Sequence, residues 1–471
     1  MEMLIAGDWT AGSGSIPVLN PYDGSEIDTV PRASSADIER AIRYAELGAA
    51  KLKQTSGYQR SGLLMRAAEL MAERLEDLAR TITLEEGKVI AEARMEVDRA
   101  RETIVCSAEE AKRLGSEVVP LDGAPGTGKR FGFTLRVPCG VVLAVTPFNF
   151  PLNLVCHKIG PAFAAGNSAI LKPASDTPLV ALKFARLLLD AGLPPESIQV
   201  VTGSGGEIGR QLCSDPRIRK ISFTGSRDVG ESICQVAGLK KVTMELGSNS
   251  PVIVLPDADI EKAANAIAVT GYANAGQVCI SAQRILAHDK VYGDLLDCLQ
   301  PRVSSLATGN PLDDGVQVGP MVREDDAERV QQWIRDAADS GGRLVAGGGR
   351  EGAIVEPAIV ADVSSHMRIS CDELFGPAVG LTRFDSVDAA IASANDTNYG
   401  LSAAVFTENL DNAMRFAREV DSGNIHINWG TQWRADLMPY GGLKESGFGK
   451  EGPSYAVQEM TETKMVVMHL G

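Results

Sequence analysis

Cysteine is scarce in this sequence: eight thiols in 471 residues, no two of them spaced as Cys-x-x-Cys. Such sparseness excludes a disulfide scaffold, and the spacing excludes a zinc ribbon or a thioredoxin-type motif. The five histidines (His157, His288, His366, His426 and His469) are scattered and none belongs to a His-Glu-x-x-His pattern, so no metal site is expected. Basic residues are also in deficit. Against 61 acidic side chains stand 46 Lys and Arg, a net charge of −15 that excludes a broad nucleic-acid or anionic-membrane surface. Long apolar runs are missing too. One long uncharged stretch, Val137 to Cys156, contains Pro138, Pro147 and Pro151 as well as Asn149 and Asn153, which unsuits it for a membrane helix. Residues Met1 to Asp8 carry no basic segment followed by an apolar one, so no signal peptide is expected and a reducing, cytoplasmic setting is the default.

What is present is enough apolar material, 44% of residues, for two to three domains of roughly 150 residues each. The first third reads as helical. Asp37 to Lys53 follows Ser34 and Ser35, either of which can cap it, and Leu63 to Leu84 repeats apolar residues at three- and four-residue spacing. Ala91 to Leu114, dense in Arg and Glu, predicts a third helix with one solvated face. Val118 to Pro138 reads as two short strands around a Gly/Pro turn. Within it, Gly123-x4-Gly128-Lys129 nearly matches a phosphate-binding P-loop. Arg130 stands where a magnesium-ligating Ser or Thr is needed, however, and an alternating strand pattern follows instead of a helix.

From Gly140 the rhythm becomes strand, loop, helix. Strands are predicted at 141–145, 168–171, 198–201, 220–223 and 242–244, with helices between them at 178–191 and 228–237. That alternation indicates a doubly wound parallel sheet. A second α/β run follows, with strands at 251–255, 284–287, 343–345, 379–384, 403–406 and 424–428. No Gly/Ser linker divides the two, so they are expected to share a cleft. The tail, 459–470, is strand-like and a candidate to extend a sheet edge, including that of a partner.

Two glycine-rich turns lie at strand-to-helix junctions: Gly203-Ser204-Gly205-Gly206-Glu207-Ile208-Gly209 and Phe223-Thr224-Gly225-Ser226. Glycine there lets backbone NH groups approach a pyrophosphate, although each turn alone reads equally well as a tight βα connection. Among the thiols, Cys279 stands out, because Asn274-Ala275-Gly276-Gln277-Val278 before it allows close backbone approach. The other seven read as structural cysteines.

Over essentially its full length the chain resembles the NAD(P)-dependent aldehyde dehydrogenase superfamily. The likeness rests on seven ordered segments. They are Thr146-Pro147-Phe148-Asn149-Phe150-Pro151, Leu171-Lys172-Pro173-Ala174-Ser175, Phe223-Thr224-Gly225-Ser226 and Met244-Glu245-Leu246-Gly247, then Gly276-Gln277-Val278-Cys279, Glu373-Leu374-Phe375-Gly376-Pro377 and Pro439-Tyr440-Gly441-Gly442-Leu443-Lys444-Glu445-Ser446-Gly447. The resemblance implies two doubly wound α/β domains and a small β element. A Rossmann-like cofactor domain would span 1–117 and 138–247, a catalytic domain 248–447, and a bridging, oligomerising element 118–137 and 448–471. A homodimer or homotetramer is implied.

The resemblance also implies roles. Cys279 would add as thiolate to the aldehyde, Asn149 and the Cys279 NH would hold the oxyanion, and Glu245 would activate the water that hydrolyses the thioester. NAD or NADP would be held by Lys172 at the adenosine ribose, Ser226 at the pyrophosphate, Glu373 at the nicotinamide ribose and Phe375 beside the nicotinamide. Thr146, Pro147, Phe148, Ser175, Gly205, Gly209, Phe223, Gly225 and Leu246 would complete that site. Ser175 replaces the Glu common in NAD-selective relatives, so NADP should be tolerated. Two departures stand out: Phe148 where a Trp is common, and Ser248-Asn249 where Gly-Lys is usual.

Segments 149–158 and 434–442 look most like bacterial lactaldehyde and phosphonoacetaldehyde dehydrogenases, with sulfolactaldehyde dehydrogenases related. Succinate-semialdehyde and non-phosphorylating glyceraldehyde-3-phosphate dehydrogenases are the alternatives. Arg99, Phe150, His157 and Arg434 are expected to bind a short polar or anionic substrate, with Arg101 competing for the place of Arg99. A catalytically silent homologue and a CoA-acylating enzyme are competing classes; retention of Cys279, Glu245 and Asn149 speaks against the first, and Glu245 against the second.

Overall fold

The apolar runs become the strands of two sheets in the computed structural model, which describes residues 1–470 apart from the side chain of Glu207. The first sheet is built on five parallel strands in the order Ile198–Val200, Ser168–Lys172, Val141–Val145, Ile218–Thr224 and Lys241–Glu245. Their side chains alternate between two cores, as a sheet covered on both faces requires. Val142 and Ala144 join the helices of residues 57–113 and 153–190 on one face. Val141 and Leu143 meet helix Ser35–Leu52 and the helices after residue 204 on the other. Chain order reverses between Val141–Val145 and Ile218–Thr224, so a crevice opens at the carboxyl ends of those two strands, where Asn149 and Ser226 lie. The doubly wound fold is thus present.

The second sheet runs Arg343–Ala346, Ala358–Ala361, Ala378–Phe384, Arg284–His288, Pro251–Val254, Ser402–Phe406, Asn424–Ile427, parallel apart from its first strand. Strand Arg130–Pro138 centres a third sheet, flanked by Val118–Val119 and by Thr461–His469. Arg130 therefore begins a strand, which removes the P-loop reading. The tail strand pairs with its own chain over nine residues.

Several elements differ from the sequence reading. The N-terminal region opens with four strands, Met3–Ile5, Asp8–Thr10, Ser15–Leu19 and Glu26–Pro31, before the first helix. Met3–Ile5 is fully buried and joins the first sheet antiparallel, Leu4 opposite Val200. The single helix expected over 63–84 is two, Gly57–Glu73 and Leu75–Glu86, broken at Arg74 (φ −111, ψ 19). Gly447–Phe448 pairs with Met244 and Glu245 in the first sheet, and helix Pro453–Glu459 follows it. Of the stretch expected in the bridging element from 448 onward, only Thr461–His469 enters the third sheet. Among the described residues no helix is long and apolar enough to cross a membrane, and no His/Cys/Asp/Glu group could hold a metal.

Candidate active site

The approach to Cys279 is built from three successive left-handed residues: Asn274 (φ 51, ψ 38), Ala275 (φ 53, ψ 34) and Gly276 (φ 70). For an L-residue that conformation costs about 1–2 kcal/mol each, so something must hold it. Glu92 Oε2 accepts from Asn274 N at 3.0 Å and Glu86 Oε1 from Asn274 Nδ2 at 2.9 Å. At Gly276 a Cβ would stand 2.0 Å from the carbonyl of Gly376, so only glycine fits. Glu86 and Glu92 had no place in the sequence reading.

Cys279 emerges where two cavities meet. One, of about 220 Å³, is lined by Glu245, Tyr440, Arg99 and Arg434; the other, of about 370 Å³, by Phe148, Ser226, Glu373 and Phe375. Leu154, Thr224 and Cys279 belong to both. Burial pushes the Cys279 thiol up to about 12, and the Tyr440 hydroxyl 3.3 Å from Sγ opposes that shift.

Asn149 follows the strand Val141–Val145 and is pinned through its backbone, its carbonyl accepting from Lys88 Nζ at 2.7 Å and Asn274 Nδ2 at 3.2 Å. Its own amide donates one hydrogen to the Gln277 carbonyl at 2.8 Å. Glu96 completes the support, accepting from Leu152 N and Asn153 N at the start of helix Asn153–Ala164 while paired to Lys88 at 2.5 Å.

Glu245 ends the strand Lys241–Glu245 and is 2% exposed, yet neither carboxyl oxygen has a hydrogen-bond partner among the described residues. Burial, reinforced by the nearby Glu451 charge, holds it well above the usual carboxylate range. Glu451 behaves oppositely. Burial alone would raise it, but Lys158 at 2.6 Å and Arg434 at 3.3 Å outweigh that and bring it to about 2. Two buried carboxyls on one cavity are thereby split, one ionised and one biased toward the protonated form. Lys158, Thr224 and Glu451 are further members that the sequence did not single out.

Most of the expected cofactor residues line two cavities. Pro147, Phe148, Gly225, Ser226, Leu246, Glu373 and Phe375 line the cavity on the far side of Cys279. Phe148 meets Phe375 edge-on at 5.9 Å, so it supplies the aromatic wall. Glu373 is fixed by Ser248 N at 2.9 Å and raised to about 7 by burial. A third cavity, of about 550 Å³, is lined by Lys172, Gly205, Gly209 and Arg210, a cation the sequence reading missed. Burial lowers Lys172 to about 8. Among the described residues, nothing outside its own helix backbone comes within 4 Å of a Cβ built on Gly209. Thr146, Phe223 and Ser175 do not line these cavities. Thr146 is buried with its hydroxyl unpartnered, Phe223 packs behind Gly225, and Ser175 donates to the Gly203 carbonyl at 3.2 Å. The residues present, glycine backbone with two cations at one end and an aromatic wall at the other, fit a dinucleotide.

The unusual Ser248-Asn249 pair is structural. Asn249 donates to the carbonyls of Ser370 and Cys371 and accepts from Thr397, tying the base segment to the second sheet's loops.

Of the expected substrate residues, Arg99, Phe150 and Arg434 line the cavity on Glu245's side of Cys279. Arg434 lies 3.9 Å over the Tyr440 ring and pairs with Glu451. Arg99 has no ion pair among the described residues, and burial with the facing Arg434 lowers it. His157 lies outside that lining. It is 1% exposed and sits beside Arg434, Nδ1 at 3.2 Å from Arg434 Nη2 and Nε2 at 3.2 Å from Asp436. Burial pushes it to about 4, which favours the neutral ring. Arg101 does not line the cavity.

A family model described as "Aldehyde dehydrogenase family" matches residues 9–466. The 3-sulfolactaldehyde dehydrogenase of Priestia aryabhattai is 46% identical over 469 residues, 99% of this chain and 98% of that protein. The lactaldehyde dehydrogenase of Methanococcus aeolicus is 37% identical over 471 residues, 99% of this chain and 100% of the relative. Among solved structures, the NADP-dependent glyceraldehyde-3-phosphate dehydrogenase from Bacillus halodurans, complexed with NADP, superposes with a TM-score of 0.98 at 34% identity, covering 100% of this chain and 99% of that one.

Proposed function

The chain belongs to the aldehyde dehydrogenase family, and from that premise we propose how its own residues oxidise an aldehyde to the acid with NAD or NADP. The observation that carries the reading is the position of Cys279 at the junction of the two cavities. Aldehyde enters from the Glu245 side; Cys279 first gives up its thiol proton to solvent, and the thiolate so formed adds to the aldehyde carbon. The Asn149 amide and the Cys279 NH receive the oxyanion, each such donor contributing about 10²–10³ in rate. When bound, NAD or NADP supplies the hydride acceptor. Glu373 and Phe375 orient its reactive end, and Lys172, Arg210 and the Ser226 helix start its charged end. Glu245, with free carboxyl oxygens in the cavity, acts in its ionised form, which its raised pKa makes a stronger base, and takes the proton of the water that cleaves the thioester. Glu245→Gln is expected to keep a rapid burst of NAD(P)H while steady turnover falls about 10²-fold or more. Loss of the burst as well would place Glu245 before hydride transfer and overturn the assignment. CoA-independent release of acid separates this chemistry from acyl transfer to CoA.

The substrate is short and polar or anionic. Arg99, which lines the cavity without an ion pair among the described residues, supports an anionic tail, and the sulfonate in the name of the Priestia relative is in keeping with it. Lactaldehyde-, phosphonoacetaldehyde- and sulfolactaldehyde-like compounds lead, with succinate semialdehyde and glyceraldehyde 3-phosphate as alternatives. Arg99→Ala should lower kcat/KM roughly 10- to 100-fold for an anionic aldehyde and much less for a neutral one; equal losses on both would sink the anion reading. Eight unpaired thiols suit a reducing, cytoplasmic setting. The third sheet is read as the contact of a homodimer or homotetramer.

A further inference from the structure

Tyr440 has a role that the oxidation scheme leaves unassigned. Its ring is 4% exposed and clamped on two sides. The backbones of Tyr440 and Glu451 exchange hydrogen bonds of 3.1 and 2.7 Å, and the Arg434 guanidinium lies 3.9 Å over the ring. So fixed, the phenol reaches a single hydrogen-bond partner among the described residues, Cys279 Sγ at 3.3 Å. Burial, then the nearby Cys279, holds the phenol well above its ordinary value, so the hydroxyl keeps its proton and is the donor to a thiolate.

Addition changes that partner. A sulfur lone pair forms the bond to the aldehyde carbon, and the carbonyl π pair moves to oxygen. The negative charge leaves sulfur for the oxyanion on the Asn149 side. The sulfur becomes a thioether, a weak acceptor, and the immobile, buried Tyr440 hydroxyl needs another. The nearest atoms the substrate can offer, apart from the oxyanion itself, are those on its second carbon.

We propose that Tyr440 donates to Cys279 before addition and to an oxygen on the second carbon of the aldehyde after it, making the site selective for 2-oxygenated aldehydes. The proposal rests on the aldehyde-oxidising reading above and assigns its specificity to one hydroxyl. Glu245 and Glu373 oppose the thiolate and Arg434 favours it. Lys88, Glu92, Glu96, Arg99 and Glu451 complete the charged lining of the cavity. Tyr440→Phe leaves all of these in place.

The test compares kcat/KM for matched pairs, lactaldehyde against propanal and 3-sulfolactaldehyde against 3-sulfopropanal, in the wild type and in Tyr440→Phe. Substituting Phe is expected to lower each 2-hydroxy to 2-deoxy ratio on the order of tenfold. It should also move the pH profile of Cys279 alkylation by iodoacetamide upward, a shift that a merely structural role would not produce. Equal losses on both members of each pair overturn the proposal. Should the variant not fold, the wild-type ratios, corrected for the hydration of each aldehyde, decide it: a preference supports the proposal and a ratio near one overturns it. NAD(P)H from all four aldehydes with unchanged ratios counts against Tyr440 alone. No NAD(P)H from any of them overturns the oxidative reading and this proposal together.

Discussion

Glu92 shares the substrate cavity with Arg99 and Lys88, so its ionisation sets how much positive charge an incoming anion meets. Burial raises it to about 7, while the Lys88 charge and the Asn274 NH pull the other way. A rise in pH through 7 therefore adds one negative charge to the cavity. The KM for a sulfonated aldehyde, whose own charge is constant in this range, is expected to rise severalfold between pH 6 and 8, whereas that for lactaldehyde stays flat. Glu92→Gln should remove the rise. Parallel profiles for the charged and neutral substrates would show that Glu92 does not face the anion. His157 shows why such assignments escape sequence reading. Its sequence neighbours do not show that the fold seats its ring beside Arg434, outside the cavity lining, where burial favours the neutral form.

At the scale of elements, the clamp on Asn274 links the end of helix Leu75–Glu86 to the nucleophile loop. Glu86 is buried, with Oε1 on Asn274 Nδ2 and Oε2 without a partner among the described residues, and burial raises it to about 8. Its folded value lies above its unfolded one, near 4.3. The folded chain therefore binds more protons in that interval, and stability falls as pH rises from about 5 to 8. Glu86→Gln keeps the acceptor for Asn274 and has no proton to lose. Its Tm relative to wild type should grow by a few °C between pH 5 and 8; a difference independent of pH would mean that Glu86 is ionised throughout.

The parallel strands and the long helices were legible because each is an apolar run or stripe of the right period, buried by its own element. Three-residue strands such as Met3–Ile5 carry too little pattern, and the turn at Arg74 uses neither Gly nor Pro, so neither left a mark. Cys279, Asn149 and Glu245 were legible from ordered motifs. Tyr440 lay inside one of those motifs, but its partner is 161 residues away, a distance only the fold closes.

For the whole molecule, a net charge of −15 coexists with cations set into the cavities: Lys172 and Arg210 in one, Arg99 and Arg434 in another. The acidic excess disfavours self-association unless an apolar face offsets it. The third sheet has such a face. Side chains alternate along its strands, and the register sets Phe131 opposite Met468, Phe133 opposite Val466 and Leu135 opposite Lys464. Phe131, Leu135 and Met468 are each 40–49% exposed, and Phe133 and Val466 are half-buried beside them. A contiguous patch of this kind on an acidic protein is expected to be covered by a second copy. Leu135→Glu combined with Met468→Glu places like charges across that contact, at residues that line neither cavity beside Cys279. Light scattering after size exclusion should report a mass near 49.9 kDa for the double variant and a multiple of it for the wild type. A wild type that is itself monomeric, or a double variant with undiminished mass, would reassign the patch.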